Sequence, residues 1–121
     1  MKLRIKGNSI RIRLMKAEVE SLSLEDYYED QVQFPGGENL IYTVRVEDEY
    51  RAEFRNNAMN VTVPKSDAEE WFSSDELSLR STIPLTEGTL SLLIEKDLEC
   101  MMPREGEDES GAYPNPKKGK G

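Results

Sequence analysis

Histidine is absent from the 121 residues, and cysteine occurs once, at Cys100. Without imidazole there can be no His-based triad, no His general base and no His-containing metal site. A lone cysteine forms no intrachain disulfide, which fits a reducing compartment, and the expected localisation is cytoplasmic. Cys100 follows Glu99, with Asp97 close by. Acidic neighbours favour the neutral thiol, so Cys100 reads as inert rather than as a nucleophile. Aromatic residues are only 7% of the chain; Trp71 and the tyrosines read as core and rim, not as a stacking platform for bases. No hydrophobic run approaches a membrane span, and the N-terminus reads as a charged strand rather than a signal peptide. No membrane partner is expected.

Charge is what the chain has in abundance. Asp and Glu number 24 against 16 Lys and Arg, a net charge of −8. The first fourteen residues invert that balance, with five cations and no acid. A largely acidic surface would repel a phosphate backbone, which argues against general nucleic-acid binding. It leaves room for a small anion or an acidic peptide at one basic spot.

That spot is Lys2-Leu3-Arg4-Ile5-Lys6-Gly7-Asn8-Ser9-Ile10-Arg11-Ile12-Arg13-Leu14. Period-two alternation on both sides of Gly7-Asn8 predicts a β-hairpin with a type II′ turn. The turn sets Lys6 against Ser9, Ile5 against Ile10, Arg4 against Arg11, Leu3 against Ile12 and Lys2 against Arg13. One face is apolar. The other carries Lys2, Arg4, Arg11 and Arg13, the candidate anion-binding residues. Directly opposed like charges are unfavourable in a sheet, so a bound anion or acids from neighbouring strands should compensate them.

The rest of the chain alternates strands and short helices. A helix is expected over 15–24 and an acidic connector over 25–30. A short strand at 31–34 ends at Pro35-Gly36-Gly37, and a longer one runs over 39–47. Residues 51–63 repeat the opening hairpin, with Asn56-Asn57 at the turn. A second helix follows over 65–74, then strands around Leu77–Ile83 and over 89–100. The two halves match at an offset of 49 residues, with Leu3 and Ile5 on Ala52 and Phe54, Leu22 on Trp71, and Phe34-Pro35 on Ile83-Pro84. The expected fold is therefore α+β, an antiparallel, β-rich single domain over 1–100. It would be built from an internal duplication of hairpin–helix–hairpin halves, 2–47 and 51–100, and curled into a barrel or half-barrel.

Two chemistries compete. The first is a non-enzymatic binding module using the basic hairpin face. The second is a metal-dependent phosphate- or polyphosphate-processing enzyme, with Glu95, Asp97 and Glu99 on one face of the last strand holding a divalent metal. In general plan the second resembles the triphosphate tunnel enzymes. Their Glu-x-Glu-x-Lys opening is here Lys2-Leu3-Arg4-Ile5-Lys6, so only Lys6 carries over. No catalytic signature marks the chain, and no other cofactor is indicated.

Residues 101–121 differ in kind. Glu105, Glu107, Asp108 and Glu109 form an acidic run, followed by Tyr113-Pro114-Asn115-Pro116 and a Lys/Gly end. Composition alone predicts disorder. The opposed cations of the hairpin suggest instead that Glu107, Asp108 and Glu109, with Tyr113, dock back on Lys2, Arg4, Arg11 and Arg13. The docking could be in the same chain or a neighbour's, so an oligomer through the tail or a sheet edge is an expectation.

The opening just quoted, together with Glu95-Lys96-Asp97-Leu98-Glu99-Cys100, Pro103-Arg104, Glu107-Asp108-Glu109-Ser110 and Tyr113-Pro114-Asn115-Pro116, is similar to a family of short uncharacterised bacterial proteins. The resemblance implies a stand-alone cytosolic protein of this length and implies no activity. It also implies that Cys100, Arg104 and residues 107–116 belong to the structured protein.

Overall fold

The computed structural model describes residues 1–97. The opening hairpin forms as its alternation predicts, with strands β1 (Lys2–Lys6) and β2 (Ser9–Leu14). All five expected cross-strand pairs are present, Lys2 with Arg13 through Lys6 with Ser9. Gly7 takes φ +55°, the positive angle its turn position requires. Helix α1 (Lys16–Glu25) follows, buries Val19 and Leu22, and ends where Asp26 adopts a left-handed conformation and donates its N–H to the Leu22 carbonyl at 2.8 Å.

The chain continues through β3 (Tyr27–Gln33), β4 (Asn39–Glu47), β5 (Arg51–Arg55) and β6 (Ala58–Pro64). Helix α2 (Lys65–Ser73) leads into β7 (Ser78–Pro84) and β8 (Thr89–Lys96). The acidic connector expected over 25–30 is instead the start of β3, which pairs with β4 from Tyr27 onward. Tyr28 is half-buried there against the core, so the segment is held by one aromatic side chain rather than by an apolar run.

The strands form two four-stranded sheets, sheet 1 in the order β1-β2-β8-β7 and sheet 2 in the order β3-β4-β6-β5. Of the expected barrel or half-barrel, a closed barrel is not formed. The pairing also corrects the all-antiparallel sheet, because the central pairs β2–β8 and β4–β6 are parallel. The physical reason lies in the helices. Each one carries the chain from one sheet to the other, α1 from β2 to β3 and α2 from β6 to β7. Each sheet therefore joins two hairpins that are distant in sequence, and these meet through strands running the same way.

One core serves both sheets. Ile12, Leu14, Leu79, Leu92 and Ile94 come from sheet 1, and Tyr42, Val44, Met59, Val61 and Val63 from sheet 2. Val19, Leu22, Ala68 and Trp71 come from the helices. The Trp71 indole N–H is satisfied by the Leu77 carbonyl at 3.0 Å, so this large side chain buries without an orphaned donor. Beside the core, the Met1 ammonium lies 2.5 Å from the Glu18 carboxylate and 3.2 Å from Asp30. Glu18 also accepts the Met15 N–H at 2.8 Å, closing the first turn of α1.

The two sheets correspond pair by pair. Ser9 opposite Ser91 and Ile10 opposite Leu92 in sheet 1 match Ala58 opposite Ile41 and Met59 opposite Tyr42 in sheet 2. Pairing also adjusts one expected equivalence. Ile83 pairs with Leu90 as Val32 pairs with Leu40, so the counterpart of Ile83 is Val32 rather than Phe34.

Candidate functional site

Alternation along the four strands of sheet 1 turns the apolar residues inward, Leu93 excepted, and the others outward. The register arranges the outward residues in three rows across the sheet. Nearest the helices the row is Lys2, Arg13, Glu95, Ser78; the middle row is Arg4, Arg11, Leu93, Arg80; the row by the turns is Lys6, Ser9, Ser91, Thr82.

The first row is neutralised internally. Glu95, only 13% exposed at its side chain, lies opposite Arg13 and accepts its guanidinium at 2.9 Å. The same carboxylate accepts Arg11 Nε at 2.8 Å from the middle row. Lys2 Nζ lies 3.3 Å from Asp97, which is buried. A half-buried carboxylate between two guanidiniums makes charge-assisted hydrogen bonds, roughly twice as strong as neutral ones. This answers the like-charge opposition that the hairpin register creates.

The other cations of the middle and turn rows are not neutralised in this way. Arg4, Lys6 and Arg80 are exposed and make no ion pair among the described residues. Together with Arg11, Ser9, Ser91, Thr82 and Leu93 they line an open concavity of about 490 Å³. Cations beside hydroxyl groups suit an oxyanion, since Arg and Lys supply charge and donors while Ser and Thr add adjustable donors.

The structure thus divides the residues singled out in the sequence. Arg4 and Arg11 line the concavity, while Lys2 and Arg13 lie in the adjoining row with acidic partners. Glu95 and Asp97 are engaged with cations, and no group of three acidic or sulfur ligands placed to hold a metal occurs among the described residues. Glu99, Cys100, Glu107, Asp108, Glu109 and Tyr113 lie outside the described residues. Sequence reasoning missed Arg80 as a site residue and gave Lys6 no place in the anion site. The alternation of Leu79, Arg80 and Ser81 marks Arg80 as outward, but nothing local shows that β7 shares a sheet with β1.

Sheet 2 serves as an internal comparison. Its outward middle row is Glu53, Asn60, Thr43, Glu29, in place of Arg4, Arg11, Leu93, Arg80. There Thr43 donates to Asn60 at 2.7 Å, and no cation stands in the row. Arg45 occupies the position equivalent to Glu95 and lies 4.6 Å from the centre of the Tyr27 ring. The same strand scaffold therefore forms without a basic face.

No helix among the described residues is long and apolar enough to cross a membrane. No curated protein and no solved structure matches the chain. A family model, described as a family of unknown function (DUF7009), matches residues 1–117. By that match, which spans nearly the whole sequence, the chain belongs to DUF7009.

Proposed function

We propose that the protein is a non-enzymatic binding module whose basic face on sheet 1 engages an acidic segment of a partner protein. One observation carries the reading. Arg4, Lys6 and Arg80 stand exposed around one concavity and make no ion pair among the described residues, beside cations that do. Desolvating an isolated charge is costly, but an exposed guanidinium keeps most of its hydration and stays available to a ligand.

The spacing favours an extended ligand. Arg4 on β1 and Arg80 on β7 are three strands apart, about 14 Å at the usual strand separation. A single phosphate bridges that span only with both side chains at full stretch. A segment bearing several carboxylates meets the cations without such strain. The sheets' pairing correspondence supports descent of the chain from a duplicated hairpin–helix–hairpin unit. On that history the basic row was gained or kept in one copy only, which is what selection for binding would leave.

The test is an amide NMR titration with an oligoglutamate peptide, and separately with tripolyphosphate with and without Mg²⁺. Peptide-induced shifts at residues 4, 6, 9, 80, 82 and 91 that fade with added salt are expected. Shifts that need tripolyphosphate with Mg²⁺ and centre on Glu95 and Asp97 would favour the phosphate-processing enzyme. The absence of any shift, both in the native chain and in one whose acidic residues 105–109 are neutralised, would remove the binding reading.

A further inference from the structure

The exposed cations of sheet 1 lie within reach of an acidic sequence in the same molecule. Strand β8 is central in sheet 1 and ends at Lys96 on the helix side, where the Asp97 N–H bonds the Leu14 carbonyl at 2.8 Å. Eight residues on from Asp97 comes Glu105, the first acid of the run Glu105-Gly106-Glu107-Asp108-Glu109. Eight extended residues reach at most about 27 Å. From Asp97 back to the level of Ser91 is about 20 Å along the strand. The acidic run can therefore return over the outer face as far as the concavity.

Charge and spacing agree with that placement. Glu105, Glu107 and Glu109 recur at every second position, as Lys2, Arg4 and Lys6 do on β1. In an extended segment both sets repeat at about 6.8 Å, so two successive carboxylates of the run match the spacing of Arg4 and Lys6, while Lys2 already has Asp97. Among the described residues the other sheet offers no comparable acceptor, because its middle row carries Glu53 and Glu29.

We infer that the acidic run 105–109 occupies the basic face in cis and competes there with acidic partners, so that the chain regulates its own site. This rests on the binding reading above and adds an internal competitor to it. A short tether gives a competitor an effective concentration in the millimolar range, so only a partner with more carboxylates or better contacts would displace it.

The experiment keeps the full chain and neutralises the run with Glu105→Gln, Glu107→Gln, Asp108→Asn and Glu109→Gln. The probe is a synthetic peptide of the sequence Glu-Gly-Glu-Asp-Glu, titrated into native and neutralised protein at low and high salt. Cis occupancy predicts that neutralisation alone shifts the amides of residues 4, 6 and 80, and that the peptide binds the neutralised chain at least tenfold more tightly. Equal affinity for both chains with no such shifts overturns cis occupancy and leaves the binding reading standing. No binding to either chain, again without shifts on neutralisation, overturns both.

Discussion

Arg4 and Arg11 face each other directly across the β1–β2 ladder, yet among the described residues only Arg11 has a carboxylate, shared through Glu95 with Arg13. One acid on the neighbouring strand thus settles two of the hairpin's cations and leaves a third exposed. Among the described residues, neutralisation stops at the middle row, and the proposed ligand face begins there.

Replacing Glu95 with Gln should separate stability from binding. The variant leaves Arg11 and Arg13 without their anion, at a cost of about 1–2 kcal/mol for a pair of this partial exposure. The same change frees two guanidiniums beside the concavity, so affinity for an acidic peptide should rise. A lowered melting temperature with tighter peptide binding is the expected pair of results; weaker binding would place the ligand elsewhere.

Arg80→Gln should do the opposite. Arg80 is exposed and makes no ion pair among the described residues, so stability should change by less than about 0.5 kcal/mol. Peptide affinity should fall severalfold, and the slope of its salt dependence should become shallower. Titrations at several salt concentrations on both proteins measure this.

Trp71 should be the most sensitive core position. It is 1% exposed and donates to the Leu77 carbonyl. Trp71→Ala should cost about 3–5 kcal/mol through the cavity it leaves. Trp71→Phe should cost less, because the Leu77 carbonyl keeps the Lys96 N–H at 2.9 Å when the indole is lost. Denaturant midpoints followed by circular dichroism order the two variants.

Tyr50 sets an alkaline limit. Burial, then the hydrogen bond to Asp67 at 2.8 Å, then the Asp67 charge, all push its phenol above the ordinary value of 10.0. A raised folded-state value means the native state holds its proton longer than the unfolded chain does. The associated stability is complete below pH 10 and declines as pH rises beyond it towards the folded value. Tyr50→Phe should therefore lower stability slightly at neutral pH and make the decline above pH 10 shallower. Urea midpoints on either side of pH 10 check the sign.

Local features of this fold were legible in the sequence, and its neighbour relations were not. Alternation located β4 at its full span of Asn39–Glu47, and Gly7-Asn8 fixed the register of the first hairpin. Tyr27 to Asp30 hid the start of β3 because polar residues dominate it and Tyr28 alone turns to the core. The pairing of Ser9 with Ser91 lies beyond any local pattern, since alternation tells which way a side chain faces and not which strand lies beside it. For the same reason Arg4 was legible as a candidate site residue and Arg80 was not.

The exchange of hairpins between sheets has a consequence for how the protein is made. Strand β8 occupies the interior of sheet 1, so the opening hairpin lacks its neighbour in that sheet until β8 has left the ribosome. Strand β4 has only its own hairpin until β6 arrives. Neither half of the chain can complete a sheet by itself. Severed within the 48–50 turn, the two fragments should remain unstructured apart and regain the native spectrum when mixed, at a rate set by their concentration.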